Sequence, residues 1–260
     1  MLNYFFHSQL ALGLAECAAA ALLALAVMLL ARKRAPGLLK ELPLAELRGI
    51  VQIVAVGAIL AFMLRGPQWT SLLVLTAMML AAASIVRKRA KRIPRAFTLA
   101  MASICAGAGA VLAIMILLGI IPLKITMLVP VGSMVIANTM NTQSLFLDRL
   151  RGEVTSHVGE IESSLALGAT TEAALLPYLR AALRASLIPS VDNIRSLGIV
   201  WIPGIMAGMV LSGASPLFAA LYQFVVLTTI FSAAALTCFL SSHLVTRRLF
   251  STHDQLLLRD

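Results

Sequence analysis

Seven long apolar stretches, separated by short loops, restrict the fold of this chain more than any other feature of its sequence. A helix needs about 20 mainly apolar residues to cross the hydrocarbon core of a bilayer. Hydrophobic residues make up 60% of the 260 positions and charged residues only 12%, roughly half the charged share of a soluble domain. The sequence therefore predicts an all-α integral membrane protein in which residues 1–260 form a single transmembrane domain. The predicted spans are residues 10–31, 50–64, 69–86, 97–121, 125–147, 196–213 and 217–245.

Lysine and arginine are distributed unevenly among the loops. They follow spans one, three, five and seven, and Arg65 and Lys124 are the two exceptions among 21 basic residues. Because cytoplasmic loops are enriched in these residues, we expect the N-terminus outside and the C-terminus in the cytoplasm. This bias explains the net charge of +10 and favours anionic lipids as partners rather than nucleic acid. Pro36, Gly37 and Pro43 are expected to form the loop between spans one and two.

The fifth span is unusually polar. Asn138, Asn141 and Thr142 are spaced i, i+3 and i+4, which places them on one helix face. Polar groups within a membrane span tend to face the bundle interior or a water-filled path. This face either lines a translocation path or joins helices through interhelical hydrogen bonds. The candidates for the path are Ser133, Met134, Asn138, Asn141 and Thr142.

A few other positions within the spans have a structural interpretation but do not identify the function. Pro203 is expected to kink span six, and Gly204 and Gly208 would let another helix approach it closely. Glu16 either lies among the outer headgroups or is an intramembrane carboxylate that attracts a cation. The sequence indicates no cluster of metal ligands within the spans, so it leaves a metal site unidentified.

The longest segment outside the membrane, residues 148–195, is predicted to contain two coupling helices within residues 149–188. The first helix is amphipathic and continues span five. Its apolar positions are Leu150, Val154, Val158, Ile161 and Leu165. Gly168 is expected to end it, Thr170 or Thr171 to cap the second helix, and Pro189 to end the second. The corner at Gly168 either lies on anionic lipid or docks into a groove on a partner.

This corner resembles the Glu-Ala-Ala-type cytoplasmic loop of ABC transporter permeases. Residues 165–250 are similar, more specifically, to the bacterial iron-export ABC permease family, also called the FetB-like or UPF0014 family. In the second half of the chain, the matching residues are Leu167-Gly-Ala-Thr170, Arg180, Arg184-Ala185, Leu187-Ile-Pro-Ser-Val-Asp192, Gly198-Ile-Val200, Pro203-Gly-Ile-Met206, Gly208, Gly213, Pro216 and Tyr222-Gln223. In span five, they are Val129-Pro130, Gly132, Met134 and Asn138-Thr-Met140.

The resemblance implies a homodimeric permease of the bacterial inner membrane that exports iron or a related metal. It also implies that a separate ATP-binding subunit docks on the corner. The residues expected to couple to that subunit are Glu162, Leu167, Gly168, Ala169 and Thr170. The chain contains no phosphate loop of the form Gly-x-x-x-x-Gly-Lys-Ser/Thr, so we expect it to be no enzyme, to carry no cofactor and to leave ATP to its partner.

Two other classes of function are alternatives to an ABC permease. A channel or secondary carrier that needs no ATPase is the main alternative, and it favours an inverted repeat and several intramembrane acids. An intramembrane protease needs paired aspartates, a Ser/His pair or a His-Glu-x-x-His motif. The spans carry none of these protease patterns.

Overall fold

The computed structural model describes residues 9–31, 36–63, 67–90 and 93–250. Within these ranges every regular element is a helix, apart from an isolated bridge between Leu197 and Trp201. The helices are α1 (Gln9–Ala31), α2 (Pro36–Met63), α3 (Thr70–Arg89), α4 (Ala96–Leu117), α5 (Ile125–Ser156), α6 (Val158–Ala166), α7 (Thr171–Arg195), α8 (Gly204–Leu211) and α9 (Pro216–Leu249). The predicted all-helical class is confirmed. The chain divides into two compact units, Met1–Gly66 and Pro67–Asp260.

Four described helical segments are long and apolar enough to cross a membrane. They are Ala11–Leu30, Thr70–Arg89, Ala96–Leu117 and Pro216–Leu249. These segments coincide with predicted spans one, three, four and seven. Helix α5 has 32 residues, which is ample length, but its run of amide and hydroxyl side chains makes it less apolar than those four. The protein is therefore an integral membrane protein with several transmembrane helices.

The first unit consists of α1 packed along α2. The loop expected at residues 36–43 is wrong, because α2 begins at Pro36 and continues through Pro43. Proline suits the first helical position, where its missing N–H has no intrahelical acceptor, and Pro43 removes a single backbone hydrogen bond. Glu16 is exposed on α1. Some predicted features lie outside the described residues: the basic positions 32–34, 65, 91–92 and 259, and the end of span two at residue 64.

Helix α5 is the centre of the second unit, where it packs against α3, α7 and α9. Phe146, Leu147 and Leu150 of α5 are completely buried in this core. Helix α4 packs against α9 through a π-helical turn, Cys105–Gly109. A side chain at Gly107 would place its Cβ 2.8 Å from the Cα of Thr237 on α9. The absence of a side chain at Gly107 therefore permits this close crossing.

Several predicted helix ends differ from those observed. Helix α4 stops at Leu117, four residues before the predicted end, and Gly119 adopts a positive φ of 70° in the turn that follows. Helix α7 continues through Pro189 to Arg195, so the expected stop at Pro189 is wrong. Ser186 and Ser190 are buried on the two sides of Pro189 along the chain. Tertiary packing therefore keeps this stretch helical despite one lost backbone hydrogen bond.

The sixth span is not a continuous helix over residues 196–213. Residues 196–203 are not helical: Gly198 has a φ of 75° between the bridged residues Leu197 and Trp201, and the indole of Trp201 donates a 3.1 Å hydrogen bond to Ser196 Oγ. Pro203 does not kink a helix but caps the eight-residue α8 in an extended conformation. The reason is local, because a residue that precedes proline is disfavoured in the helical region. A Cβ on Gly204 or Gly208 would meet nothing within 4 Å, so neither glycine serves a close helix contact among the described residues.

Candidate functional site

The corner between α6 and α7 is defined by its backbone hydrogen bonds. Gly168 has a φ of 91°, its N–H bonds to the carbonyl of Leu165 at 2.9 Å, and the N–H of Ala169 bonds to that of Ser164 at 3.0 Å. This pair of bonds is the Schellman pattern, which favours glycine at the left-handed position. Thr170 then caps α7, because its Oγ1 accepts a 3.2 Å hydrogen bond from the N–H of Ala173. The expected glycine stop and threonine cap are both confirmed.

The corner presents an apolar side chain to the outside. Leu167 is 89% exposed at the tip, beside the exposed residues Gly168 and Thr170, whereas Ala169 and Glu162 are half-buried. An exposed leucine on a rigid turn is suited to insertion into a groove on another protein. Of the five residues expected to couple to an ATPase, Glu162 therefore lies in the middle of α6, and the other four form the corner between α6 and α7.

A polar cluster fastens α6 to α7 behind the corner. The hydroxyl of Tyr178 donates a 2.9 Å hydrogen bond to Glu160 Oε2, and its ring lies 4.9 Å from that of His157. Burial and the neighbouring Glu160 carboxylate raise the pKa of the Tyr178 phenol. The two arms of the corner are therefore held together by side chains as well as by the turn.

The contact of α5 with α7 and α9 contains buried hydrogen-bonding side chains, and we call it the polar seam. Ser190 Oγ on α7 donates to Asn138 Oδ1 on α5 at 3.4 Å. These two side chains and Asn193 line a small cavity of about 10 Å³ that Leu227, Ile230 and Phe231 of α9 close, which is room for about one water molecule. Gln143 Nε2 of α5 donates to Ser241 Oγ of α9 at 2.7 Å. The seam is thus built from uncharged oxygen and nitrogen groups.

Several of the side chains buried on these helices have polar atoms that bond to no other described residue. Both amide atoms of Gln223, Gln143 Oε1 and the hydroxyls of Thr139 and Thr237 belong to this group. Gln143 and Thr139 are completely buried and Gln223 is 1% exposed. Buried polar groups normally have a partner, so this interior is suited to water or a polar solute.

The predicted path residues do not share one environment. Asn138 lies in the polar seam, and Thr142 is buried with its hydroxyl bonded to the carbonyl of Asn138 at 2.9 Å. Asn141 is exposed and lines a different groove, between α5 and α3. Met134 is 39% exposed, and the hydroxyl of Ser133 bonds within its own helix to the carbonyl of Pro130 at 2.8 Å. Asn138 and Asn141 therefore line different cavities, and the assignment of these residues to a translocation path stays a prediction.

The sequence patterns did not single out the partners of Asn138 and Gln143. Ser186 and Ser190 are spaced i and i+4 on α7 and extend the buried stripe that begins at Leu175 and Leu179, and Asn193 continues the same face at an exposed position. That change from apolar to polar residues along one stripe is the signal that would have found Ser190 and Asn193. No group of three or more His, Cys, Asp or Glu side chains that could hold a metal ion occurs within the described ranges.

Helix α7 connects the two candidate sites. It begins at the Thr170 cap of the corner and carries Ser190 and Asn193 near its other end. Its 25 residues correspond to a length of about 37 Å. A force applied at the corner would therefore reach the polar seam through a single helix.

Comparison with known proteins gives a consistent result. The family model described as "Uncharacterised protein family (UPF0014)" matches residues 14–250. The chain is 35% identical over 233 residues to the UPF0014 membrane protein YjkA of Bacillus subtilis, covering 89% of this chain and 93% of the relative. It is 31% identical over 241 residues to the probable iron export permease protein FetB of Escherichia coli, covering 92% and 93%.

A plant protein is similar over nearly the same length. The protein ALUMINUM SENSITIVE 3 of Arabidopsis thaliana is 30% identical over 246 residues, which cover 94% of this chain and 90% of the relative. No solved structure gives a significant match to the chain.

Proposed function

Because this chain belongs to the UPF0014 family of membrane proteins, we propose that it is the permease subunit of an ABC transporter that exports iron or a related metal. A separate ATP-binding subunit supplies the energy, and this chain carries no catalytic residues. The observation that carries the proposal is the rigid Gly168 corner with its exposed Leu167, joined by α7 to the polar seam. The name of the Escherichia coli relative supports the substrate class.

The ATP-binding subunit docks on Glu162, Leu167, Gly168, Ala169 and Thr170. An exposed apolar tip on a fixed turn supports this role, because such a group gains free energy when a partner removes it from water. The Tyr178–Glu160 hydrogen bond makes α6 and α7 move together. Rotation of the corner is therefore transmitted along α7 to Ser190 rather than absorbed in a loose loop.

The substrate passes along the polar seam. Amide and hydroxyl oxygens bind hard cations, and the absence of a carboxylate beside Asn138 among the described residues suits weak binding followed by release. The 3.4 Å contact between Ser190 and Asn138 is long for a hydrogen bond between oxygens, so a small shift of α7 opens it. Asn138 and Thr142 belong to this path, whereas Asn141 lines a different groove, between α5 and α3.

The permease functions as a homodimer in the bacterial inner membrane, with seven spans, the N-terminus outside and the C-terminus in the cytoplasm. The basic residues at the ends of α3 and α9 contact anionic lipid on the cytoplasmic side. Four apolar helices supply part of this topology. Helix α2, helix α5 and the segment of α8 complete it.

The decisive experiment replaces Gly168 by aspartate in the full chain co-expressed with a candidate phosphate-loop ATPase subunit. An aspartate is strained in the positive-φ conformation of residue 168, and it adds a negative charge beside Leu167. Co-purification and stimulated ATP hydrolysis should therefore both be lost. Gly152→Asp is the control, because an added Cβ at Gly152 likewise meets nothing within 4 Å, but Gly152 lies inside α5 and away from the corner. Retention of co-purification and stimulation in Gly168→Asp would refute docking at the corner, and metal export without any ATPase would favour a channel or carrier.

A further inference from the structure

A groove of about 200 Å³ lies between α3 and α5, on a different side of α5 from the polar seam. Its apolar walls are Ile85, Met140 and Leu145, and its polar walls are formed by Arg89 of α3 and by residues of α5. The groove belongs to neither the corner nor the path described above. Its mixed lining is that of a site for an amphipathic molecule.

The polar side of the groove follows one stripe of α5. Asn141, Ser144 and Asp148 are spaced i, i+3 and i+7, and all three line the groove. Arg89 is the last residue of the apolar helix Thr70–Arg89, so it lies where a membrane span ends and the headgroups of the lipid begin. The charged end of the groove is therefore at headgroup depth, and the apolar side chains adjoin it.

A buried hydroxyl in this groove lacks a partner. Ser144 is 6% exposed, and its Oγ forms no hydrogen bond with any other described residue. Many other helical hydroxyls of this chain bond to a carbonyl three or four residues earlier, as those of Ser133, Thr142 and Thr155 do. The Ser144 hydroxyl therefore has an unused hydrogen-bonding capacity beside the groove.

The two charges in the groove have opposite signs. Arg89 forms no ion pair with another described residue, whereas Asp148 Oδ1 lies 3.3 Å from Arg151 Nη2 and is half-exposed. A guanidinium binds a phosphate through charge-assisted hydrogen bonds, and a carboxylate accepts hydrogen bonds from an ammonium group. The lining is therefore complementary to a zwitterion that carries both groups.

We propose that this groove binds the headgroup of a zwitterionic phospholipid with a primary ammonium, of the phosphatidylethanolamine class. The phosphate contacts Arg89 and the Ser144 hydroxyl, the ammonium contacts Asp148, and an acyl chain lies against Ile85 and Leu145. A choline headgroup has no N–H to donate, and a glycerol headgroup has no positive charge. Lipid binding in this groove does not depend on metal transport or on the ATPase.

The test uses the full chain reconstituted with equal amounts of phosphatidylethanolamine, phosphatidylcholine and phosphatidylglycerol that carry identical acyl chains. Native mass spectrometry then measures which lipid stays bound. The wild-type protein should retain phosphatidylethanolamine about tenfold over the other two, a ratio typical of one charge-assisted hydrogen bond. Equal retention of the three lipids would overturn the proposal.

The variants separate the two halves of the headgroup. Asp148→Asn should abolish the preference for phosphatidylethanolamine over phosphatidylcholine, whereas Arg89→Gln should reduce retention of all three lipids and Arg89→Lys should restore it. Asp192→Asn is the matched control for Asp148→Asn, since Asp192 does not line the groove. Asp148→Asn tests the proposal even if Arg89→Gln does not fold. An unchanged preference in Asp148→Asn would refute the ammonium contact.

Discussion

The hydroxyl of Tyr178 on α7 donates a 2.9 Å hydrogen bond to the carboxylate of Glu160 on α6. The two residues are 18 positions apart, and the Gly168 turn lies between them. The ring of His157 stacks at a tilt of 30° against that of Tyr178. The two helices of the corner are therefore joined twice, by the turn at Gly168 and by side-chain contacts.

We expect Tyr178→Phe to weaken coupling to the ATPase without affecting insertion into the membrane. The substitution keeps the ring contact with His157 and removes only the hydrogen bond, so the free energy of unfolding should fall by at most about 1 kcal/mol. Stimulated ATP hydrolysis, measured in proteoliposomes with the partner subunit, should fall several-fold. Tyr222→Phe is the control, because the Tyr222 hydroxyl has no partner among the described residues. Equal stimulation in the wild type and Tyr178→Phe would show that the hydrogen bond plays no part in coupling.

The same contact gives a pH dependence in the alkaline range. The pKa of the Tyr178 phenol is raised above its ordinary value of 10.0 by burial and then by Glu160 and Glu153. A raised pKa in the folded state means that the stabilisation is complete below the unfolded pKa and is lost as the pH rises through the folded pKa. Ultraviolet titration of the phenolate in wild type and Tyr178→Phe should reveal one tyrosine that ionises above pH 10. If the difference between the wild-type and Tyr178→Phe titrations shows a tyrosine that ionises below pH 10, the Tyr178–Glu160 contact is contradicted.

Asn138→Leu should impair export more than it impairs stability. The Ser190–Asn138 hydrogen bond is long, so its loss should cost no more than about 1 kcal/mol of unfolding free energy. A leucine closes the polar cavity, however, so metal export from whole cells should fall about tenfold or more. Ser232→Ala is the control, because that hydroxyl bonds only within its own helix. Normal export by Asn138→Leu, at normal protein abundance, would remove Asn138 from the path.

The corner was predictable from sequence because its causes are local. The spacing of Leu150, Val154 and Ile161 reports which face of a helix is buried, and all three are completely buried. Gly168 and Thr170 have the residue types that a left-handed turn and a helix N-cap favour. The class of the fold followed from the apolar spans in the same way.

The polar seam was not predictable, because it depends on contacts between distant segments. Asn138 and Asn141 differ by about 60° around the helix axis, and that angle is enough to direct one towards α7 and the other towards α3. The partner of Asn138 is 52 residues away, and that of Gln143 is 98 residues away. Pro189 illustrates the same limit, since tertiary packing keeps it inside a helix.

Gly107→Ala should destabilise the protein, whereas Gly109→Ala should not. A Cβ at Gly107 would lie 2.8 Å from backbone atoms of Thr237, but one at Gly109 would only reach Met79 Cε at 3.9 Å. Overpacking of this kind costs about 1–3 kcal/mol, so thermal unfolding in detergent should begin several degrees lower for Gly107→Ala. Both glycines belong to the same π turn, which controls for helix propensity. Equal melting temperatures for the two variants would show that α4 does not cross α9 so closely at Gly107.

Gln143 and Ser241 provide a test of the seam itself, because their 2.7 Å hydrogen bond is buried between α5 and α9. Ser241→Ala leaves the buried amide of Gln143 with no partner, which should cost about 1–3 kcal/mol. Gln143→Leu combined with Ser241→Ala removes both partners and should be less destabilised than Ser241→Ala alone. The quantity to measure is the coupling energy in a double-mutant cycle of unfolding, for which about 0.6 kcal/mol is typical within membranes. Additive effects of the two substitutions would mean that these side chains do not interact, and α9 would then have to be oriented differently against α5.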